Sequence, residues 1–344
     1  EYTILFTEVR MMISNCFYYG VYSPKGFYSL AAKPEFSAEK NYIVKGYSVS
    51  AKQKLFDSIK NELDKRGMSY IDFCADERSL GLYSADAGFR ILDGTYDTFA
   101  YTGETFYLDD ETKKIKSLIL CREEAVKRAE RFLTACRCIS NDMMRLDSSN
   151  MDIVKVNRFS SRLWSSMGGT LRGTVGTEHK RFVTCFTPDG VELNMEAFDI
   201  YCENITVICD RTGACARHIT DRVRRYALSA GYDVISCLCP LNTESGAEHL
   251  IIPELKAGVF VSKYFHKGDF ENSRRVSSRR FLVPSEAETK KRMDFSLKAY
   301  KRLMQEVFSS LETVRLCDEK MDIMSADSLS NEKIQDFIEL IFKS

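Results

Sequence analysis

The chain repeats itself at long range, and that periodicity limits its fold more than any single motif does. Tyr22-Ser23-Pro24-Lys25-Gly26 returns as Phe186-Thr187-Pro188-Asp189-Gly190, so the offset from Pro24 to Pro188 is 164 residues. The same offset sets the apolar run Tyr42-Ile43-Val44 opposite Thr206-Val207-Ile208 and Gly67 opposite Gly231. Self-similarity at a fixed period means two halves of one topology. Each half reads as a short apolar strand, a loop of small residues, an amphipathic helix, a glycine stop and a second apolar strand. Leu55, Ile59 and Leu63 form the helix stripe of the first half, and Gly67 is a C-cap residue able to take positive φ. Ile219, Val223, Ala227 and Gly231 repeat the arrangement. With strands at 69–74 and 233–238, the order predicts a right-handed βαβ unit of a parallel sheet in each half.

Further on, the segment 83–93 matches 251–261 once about four residues are inserted in the second half, which supplies each half with a third strand. Both halves close on helical stretches, 121–145 and 287–315, the latter with apolar positions at Met293, Leu297, Tyr300, Met304 and Val307. These predict a helical hairpin appended to each sheet. The intervening 148–180, with Met167-Gly168-Gly169 and Gly173, reads as a linker whose lone Trp164 is packed. A length of 344 residues suits two such domains, 15–147 and 181–344.

Composition excludes several classes. Lys+Arg and Asp+Glu both number 49, and 44% hydrophobic residues with six Pro exclude a disordered or fibrous chain. Without excess positive charge, wrapping nucleic acid or coating an acidic membrane is disfavoured, and the 17 Tyr and 22 Phe are scattered rather than set in basic stripes. Many of the twelve Cys lie in apolar runs, as Cys209, Cys237 and Cys239 do, and read as buried reduced thiols. The histidines, at 179, 218, 249 and 266, share no ligand spacing with any Cys, and Cys136 and Cys138 point different ways on a helix, so no structural metal is expected. The sequence starts at Glu1 with no charged-then-apolar leader and contains no membrane-length apolar stretch, from which a cytoplasmic location is expected.

The loop between first strand and helix is where a P-loop protein cradles phosphate, through backbone N–H groups and the helix N-terminus. The pattern G-x-x-x-x-G-K-[ST] has a partial match in Gly46-Tyr47-Ser48-Val49-Ser50-Ala51-Lys52-Gln53, where Ala51 replaces the second glycine and Gln53 the Mg²⁺-binding hydroxyl. Gly46, Ser48, Ser50, Ala51, Lys52 and Gln53 are therefore candidate nucleotide-binding residues. Asp93, ending the apolar run Phe89-Arg90-Ile91-Leu92, reads either as a Walker-B carboxylate holding Mg²⁺ through water or as a cap on the turn at Gly94. In the second half the register gives Asp210-Arg211-Thr212-Gly213-Ala214-Cys215-Ala216-Arg217, with Ala216 in place of the lysine and Val261 in place of the acid. Gly213, Ala214, Cys215 and Arg217 are the candidates there, although Asp210 puts negative charge where phosphate would sit. Arg274, Arg275, Arg279, Arg280, Lys290, Lys291 and Arg292 form a basic run readable as a lid or as a solvated loop, and Asp86 and Glu254 read as site residues at the carboxyl ends of the sheets or as turn caps.

The chain resembles a bacterial family of tandem P-loop ATPases, found mostly among Clostridia-type organisms. In that family each half carries T-P-x-G, K-G-x-P-G-T-G-K-S-T, I-I-P-E-L and D-G-T-A-P-H. The residues carrying the resemblance are Ser23-Pro24-Lys25-Gly26, Lys45-Gly46, Lys52 and Asp93-Gly94-Thr95, then Thr187-Pro188-Asp189-Gly190 and Ile251-Ile252-Pro253-Glu254-Leu255. It implies an α/β fold of two tandem P-loop NTPase-like domains with parallel sheets, and binding of ATP or another nucleotide with Mg²⁺. Because neither half keeps lysine, hydroxyl and acid together, the expectation is nucleotide binding with weak or no turnover. The alternatives are a nucleotide-free pseudo-NTPase scaffold for a protein partner, or a kinase-like transferase with the basic run as lid.

Overall fold

The structure is a computed structural model that describes residues 16–31, 33–76, 78–96, 103–108, 115–264, 266–268, 270–271, 273–284, 287–325 and 331–342. In chain order the elements are β1 (Gly20–Ser23), β2 (Gly26–Ser29), β3 (Lys40–Lys45), α1 (Val49–Lys65), β4 (Ile71–Ala75), β5 (Arg78–Ser84), β6 (Phe89–Asp93), β7 (Glu104–Tyr107), α2 (Lys116–Ser149) and α3 (Ile153–Ser166). They continue with β8 (Glu178–Arg181), β9 (Thr184–Thr187), β10 (Gly190–Leu193), α4 (Glu196–Tyr201), β11 (Asn204–Cys209), α5 (Ala214–Ser229), β12 (Val234–Cys239), β13 (Asn242–Ile252), β14 (Ala257–Ser262), β15 (Arg274–Ser277), α6 (Ala287–Ser325) and α7 (Asn331–Phe342). The chain is α/β. Among the described residues, no helix is long and apolar enough to cross a membrane.

The repeat is written into the strand pairing. One sheet has the order β4-β5-β6-β3-β7, and the other has β12-β13-β14-β11-β15 with β8 added outside β12. Lys40 pairs with Phe89 as Asn204 pairs with Ala257, and Tyr83 pairs with Arg90 as Ile251 pairs with Gly258. The Pro-containing segments are the tips of the hairpins β1–β2 and β9–β10, where Gly26 and Gly190 both take positive φ.

The sheets are mixed, not parallel as predicted. β3 runs parallel to β6 and β7, but β5 is antiparallel to both its neighbours, and β13 is antiparallel to β12 and β14. Chain length dictates this, because a parallel pair needs a crossover of a dozen or more residues and the connections flanking β5 are only tight turns. The helix α1 therefore joins β3 to β4 across two intervening strands. The predicted hairpins of helices are also replaced, since α2 and α6 are single helices of 34 and 39 residues.

The chain divides into two compact units, one within 1–130, 187–189 and 308–344 and the other within 131–186 and 190–307. In the first, Leu55, Phe56, Ile59 and Leu63 of α1 share a core with Val44, Leu82 and Ile91 and with Ile334, Phe337, Ile338 and Ile341 of α7. In the second, Ile219, Val223 and Ala227 of α5 share a core with Ile208 and Val259 and with Val156, Phe159 and Leu163 of α3. The segment 148–180 is thus not a linker: it contains a core helix, because an apolar stripe at 156, 159 and 163 must be buried. Trp164 packs at its edge against Tyr226 and Tyr232. The helix α3, carried by the first half of the sequence, belongs to the second unit, and α7, the last helix of the chain, belongs to the first.

Phe337 is buried and stacks on Phe106 with ring centroids 4.4 Å apart. Phe337→Ala is expected to cost about 3–5 kcal/mol in urea unfolding. A loss below about 1 kcal/mol would show that α7 does not complete this core.

Candidate functional site

In each unit a helix starts at the carboxyl end of a parallel strand, α1 after β3 and α5 after β11, the place where open α/β folds bind ligands. In unit 1, β3 ends at Lys45 and α1 begins at Val49 with Ser48 as N-cap, whose Oγ accepts from the Ala51 N–H at 3.1 Å. Ser50, Ala51, Lys52 and Gln53 consequently lie in the first turns of the helix and do not form a cradle around an anion. Ser48 is a strong N-cap residue, and capping the helix there uses up the residues that a P-loop would hold in its loop.

Each predicted residue has a partner within the protein. The Lys52 ammonium is buried and donates to Asp93 Oδ1 at 2.8 Å and to Thr95 Oγ1 at 2.6 Å. Asp93 Oδ1 also accepts from the Thr95 N–H at 2.8 Å, so it is both the turn cap and the counterion of Lys52. The Thr95 hydroxyl lies 3.3 Å from the carbonyl of Gly46, tying the loop to the end of β6. Gln53 clamps the backbone of Ser79, donating to its carbonyl at 2.8 Å and accepting from its N–H at 3.2 Å. At the helix N-terminus itself sits Asp322 of α6, whose Oδ1 accepts from Ser48 Oγ at 2.6 Å, Ser50 N at 3.0 Å and Ser50 Oγ at 2.8 Å. Burial works to raise the Asp322 pKa, but these hydrogen bonds outweigh it and hold the carboxyl below the usual range.

Unit 2 answers the same positions differently. Asp210 Oδ2 accepts from the Ala216 N–H at 2.9 Å, and Thr212 Oγ1 donates to Asp147 at 2.7 Å. A half-buried lysine follows β14: Lys263 pairs with the buried Glu248 of β13, and Gly213 adopts φ 85° so closely against it that a Cβ there would lie 2.6 Å from Lys263 Cε. Gly213 and Ala214 are buried at the start of α5, as is Cys215, whose thiol burial pushes up to about 12. Arg217 lines a pocket with Arg137, Asn141, Gly213, Glu248 and Lys263.

Glu248 also gathers two histidines whose nearness Cys–His spacing does not reveal. His249 Nε2 and His266 Nε2 each lie 3.7 Å from a Glu248 oxygen, and one ligand-type atom from each of the three residues falls within 4.8 Å of the others. The donor set does not suit a metal ion. His249 Nδ1 accepts from the Val261 N–H at 3.0 Å, so the proton of the neutral ring sits on Nε2, the atom that would have to offer a lone pair. The Lys263 ammonium already neutralises the carboxylate. Burial, the largest influence, drives the His249 pKa down to about 3 and lowers that of His266, while burial would raise Glu248 but the Lys263 ammonium holds it well below the carboxylate range.

Other expectations move as well. Asp86 and Glu254 lie in the β5–β6 and β13–β14 turns, at the amino ends of β6 and β14, because β5 and β13 run antiparallel. There Asp86 accepts from the Ser69 N–H at 2.8 Å and Glu254 pairs with Arg172. Arg274 and Arg275 belong to the edge strand β15 and Arg279 and Arg280 to the turn of helix after it, all exposed. Charge on an edge strand blocks further strand pairing. Arg292 bonds Asp142 at 2.8 Å. Of the cysteines, Cys237 is buried, Cys209 and Cys239 half-buried, and Cys136 buried while Cys138 is exposed.

Native His249 stays neutral down to about pH 3 while the unfolded chain takes up a proton below about 6.5, so stability must fall as pH drops through that window. Glu248 adds a loss of the same sign below its ordinary value of 4.5. Urea unfolding at a series of pH values is expected to show this limb, and His249→Phe to flatten it between pH 6.5 and 4.5. An unchanged slope in the variant would remove His249 from the account.

No family model, curated protein or solved structure matches the chain.

Proposed function

We propose that the chain is an NTPase-like scaffold that holds no nucleotide and serves interaction with a protein partner. One observation carries this reading: in unit 1 the Asp322 carboxylate takes the hydroxyl and N–H donors at the start of α1 that a phosphate would need. Three others support it. Lys52 spends its charge on Asp93 inside the protein, Asp210 caps the corresponding helix in unit 2, and Ala216 and Val261 supply neither cation nor metal-binding acid. Like charges separated by a few ångströms in a half-buried site repel strongly, so a phosphate would first have to displace these carboxylates. Phosphoryl transfer depends on positioned cations and Mg²⁺, and the Lys52 charge is already engaged by Asp93.

The second reading keeps a nucleotide in the first half. It is favoured by the adjacency of β3 and β6, which sets Lys52 beside Asp93 and Thr95 at the strand ends, and by the resemblance to tandem P-loop ATPases. A thermal-shift titration with ATP, GTP and ADP, with and without Mg²⁺, separates the two. A site of about 100 μM would add about 1.4 kcal/mol at roughly 1 mM ligand, whereas the scaffold reading expects no shift. A shift that Lys52→Ala abolishes would overturn the scaffold.

If the Lys52–Asp93 pair is structural, breaking one side should be costly. Lys52→Met, which leaves Asp93 buried without its cation, is expected to lose about 3–5 kcal/mol. Adding Asp93→Asn, which keeps an acceptor for the Thr95 N–H, is expected to recover more than half of that in chemical unfolding. Equal stability of the single and double variants would mean that the pair is not coupled.

A further inference from the structure

We propose that an arginine cluster on α3, β15 and the turn after β15 is a docking surface for a short acidic segment, rich in Asp and Glu, of a partner protein. The inference rests on the reading of the chain as an interaction scaffold and names the surface and the chemistry of what meets it. Arg158 and Arg162 of α3, Arg274 of β15 and Arg279 and Arg280 of the turn 278–281 are all exposed, and all belong to unit 2. Packing sets them side by side. The guanidinium carbons of Arg274 and Arg280 each lie 5.8 Å from the centre of the Phe159 ring of α3, and that of Arg280 lies 5.5 Å from the centre of Phe281. Val276, two residues after Arg274 and so on the same face of β15, is buried in the core that holds Phe159. On α3, Trp164 and Ser161 meet Tyr226 of α5, and helical periodicity turns Arg158 and Arg162, one turn apart, to the other flank, where the turn 278–281 packs.

Two features separate this cluster from a solvated surface. The first is unanswered charge. Arg145, Arg172, Arg225 and Arg292, four other exposed arginines of the same unit, each bond a carboxylate. Among the described residues, no carboxylate stands at ion-pairing distance from any of the five, and Asp152, at the start of α3, is engaged by Lys155 at 3.1 Å. Like charges held close repel one another, and an incoming carboxylate relieves that repulsion. The second feature is order in advance of binding. A guanidinium held over a ring has given up rotamer freedom, yet keeps its N–H donors, which lie in its own plane, for a carboxylate. Protection of an edge strand needs charge on β15 alone and does not account for the arginines of α3.

The surroundings favour a peptide. Arginine forks pair bidentately with carboxylates and with phosphates alike. Phe159 and Phe281, however, are only 3% and 2% exposed and give no base a ring to stack on. With Lys+Arg and Asp+Glu both at 49, the chain also lacks the excess positive charge that holds a polyanion. Val154, on the same helix face as Arg158, and Val283, whose N–H bonds the Asn150 carbonyl just before α3, are exposed and supply apolar contacts beside the arginines.

The test uses the full chain. A fluorescent ten-residue polyglutamate peptide is titrated by anisotropy beside polyglutamine of the same length, a single-stranded oligonucleotide of the same charge, and phosphatidylserine-containing vesicles. The expected result is saturable binding of polyglutamate alone below about 1 mM, weakening as salt rises through about 0.1 M. Arg158→Glu with Arg280→Glu should weaken it about tenfold or more, and the milder Arg158→Gln with Arg162→Gln, on an exposed helix face, should weaken it in the same sense. Lys180→Glu with Arg225→Glu makes the same charge change on α5 and on β8, the strand at the opposite edge of the sheet from β15, and should leave binding unchanged. Absence of polyglutamate binding would overturn the proposal, as would an equal loss in the Lys180/Arg225 variant. Tighter binding of the oligonucleotide or the vesicles through the same arginines would also overturn it. A nucleotide-dependent thermal shift would refute the scaffold reading without touching the peptide result, whereas failure of peptide binding would remove this surface without supplying a nucleotide.

Discussion

A helix whose face buries Leu55, Phe56, Ile59 and Leu63 cannot rest on a sheet alone, and in the first unit its cover arrives from the far end of the chain. Ile334, Phe337, Ile338 and Ile341 complete that core, and Val156, Phe159 and Leu163 do the same for the helix of the second unit. Burying each large apolar side chain contributes about 1.5–3 kcal/mol, so four or so of them amount to much of a domain's net stability. Each half of the sequence therefore depends on a helix that the other half carries. The length of α2 and α6 follows from this arrangement, since the unit boundaries fall inside both helices.

The ends of the sheets obey a second constraint, that buried charge must be paired. Each unit satisfies it with a lysine and a carboxylate at the strand ends, but from different positions. Unit 1 uses a lysine from the helix and an acid from β6, and unit 2 a lysine after β14 and an acid from β13. An ion pair out of water is held together by its hydrogen bonds and is costly to break one-sidedly. Thr95 meets that need in the first unit. In the second, His249 and His266 flank Glu248, and the backbone N–H of Val261 fixes the His249 tautomer. The two loops differ in charge while the pairing of their strands is the same.

Most of the strand framework was legible because it is local and repeated. The repeated Pro–Gly segments, which the structure makes hairpin tips, the stop glycines 67 and 231 and the third strand in the match of 83–93 with 251–261 all come from short-range signals. Strand direction was misread because an apolar run looks the same whichever way it runs, and only the shortness of its connections distinguishes the two. The candidate loop was misread for a similar reason. A glycine six positions before a lysine has the same spacing whether the residues between form a cradle or a helical turn, and Ser48 as an N-cap was the signal for the turn. Asp322 had no signal at all, because its partners Ser48 and Ser50 lie at the other end of the chain. The same is true of Arg122 with Asp318.

The exchanged helices also bear on how the chain can be divided. The exposed stretch around Leu171 and Val175 separates α3 from β8, and a cut there would yield two pieces of similar size. Neither piece holds a whole unit: the first keeps one sheet with the other's covering helix, and the second keeps the reverse. Such pieces would be poor domains apart and complementary fragments together, each supplying the apolar surface that the other exposes.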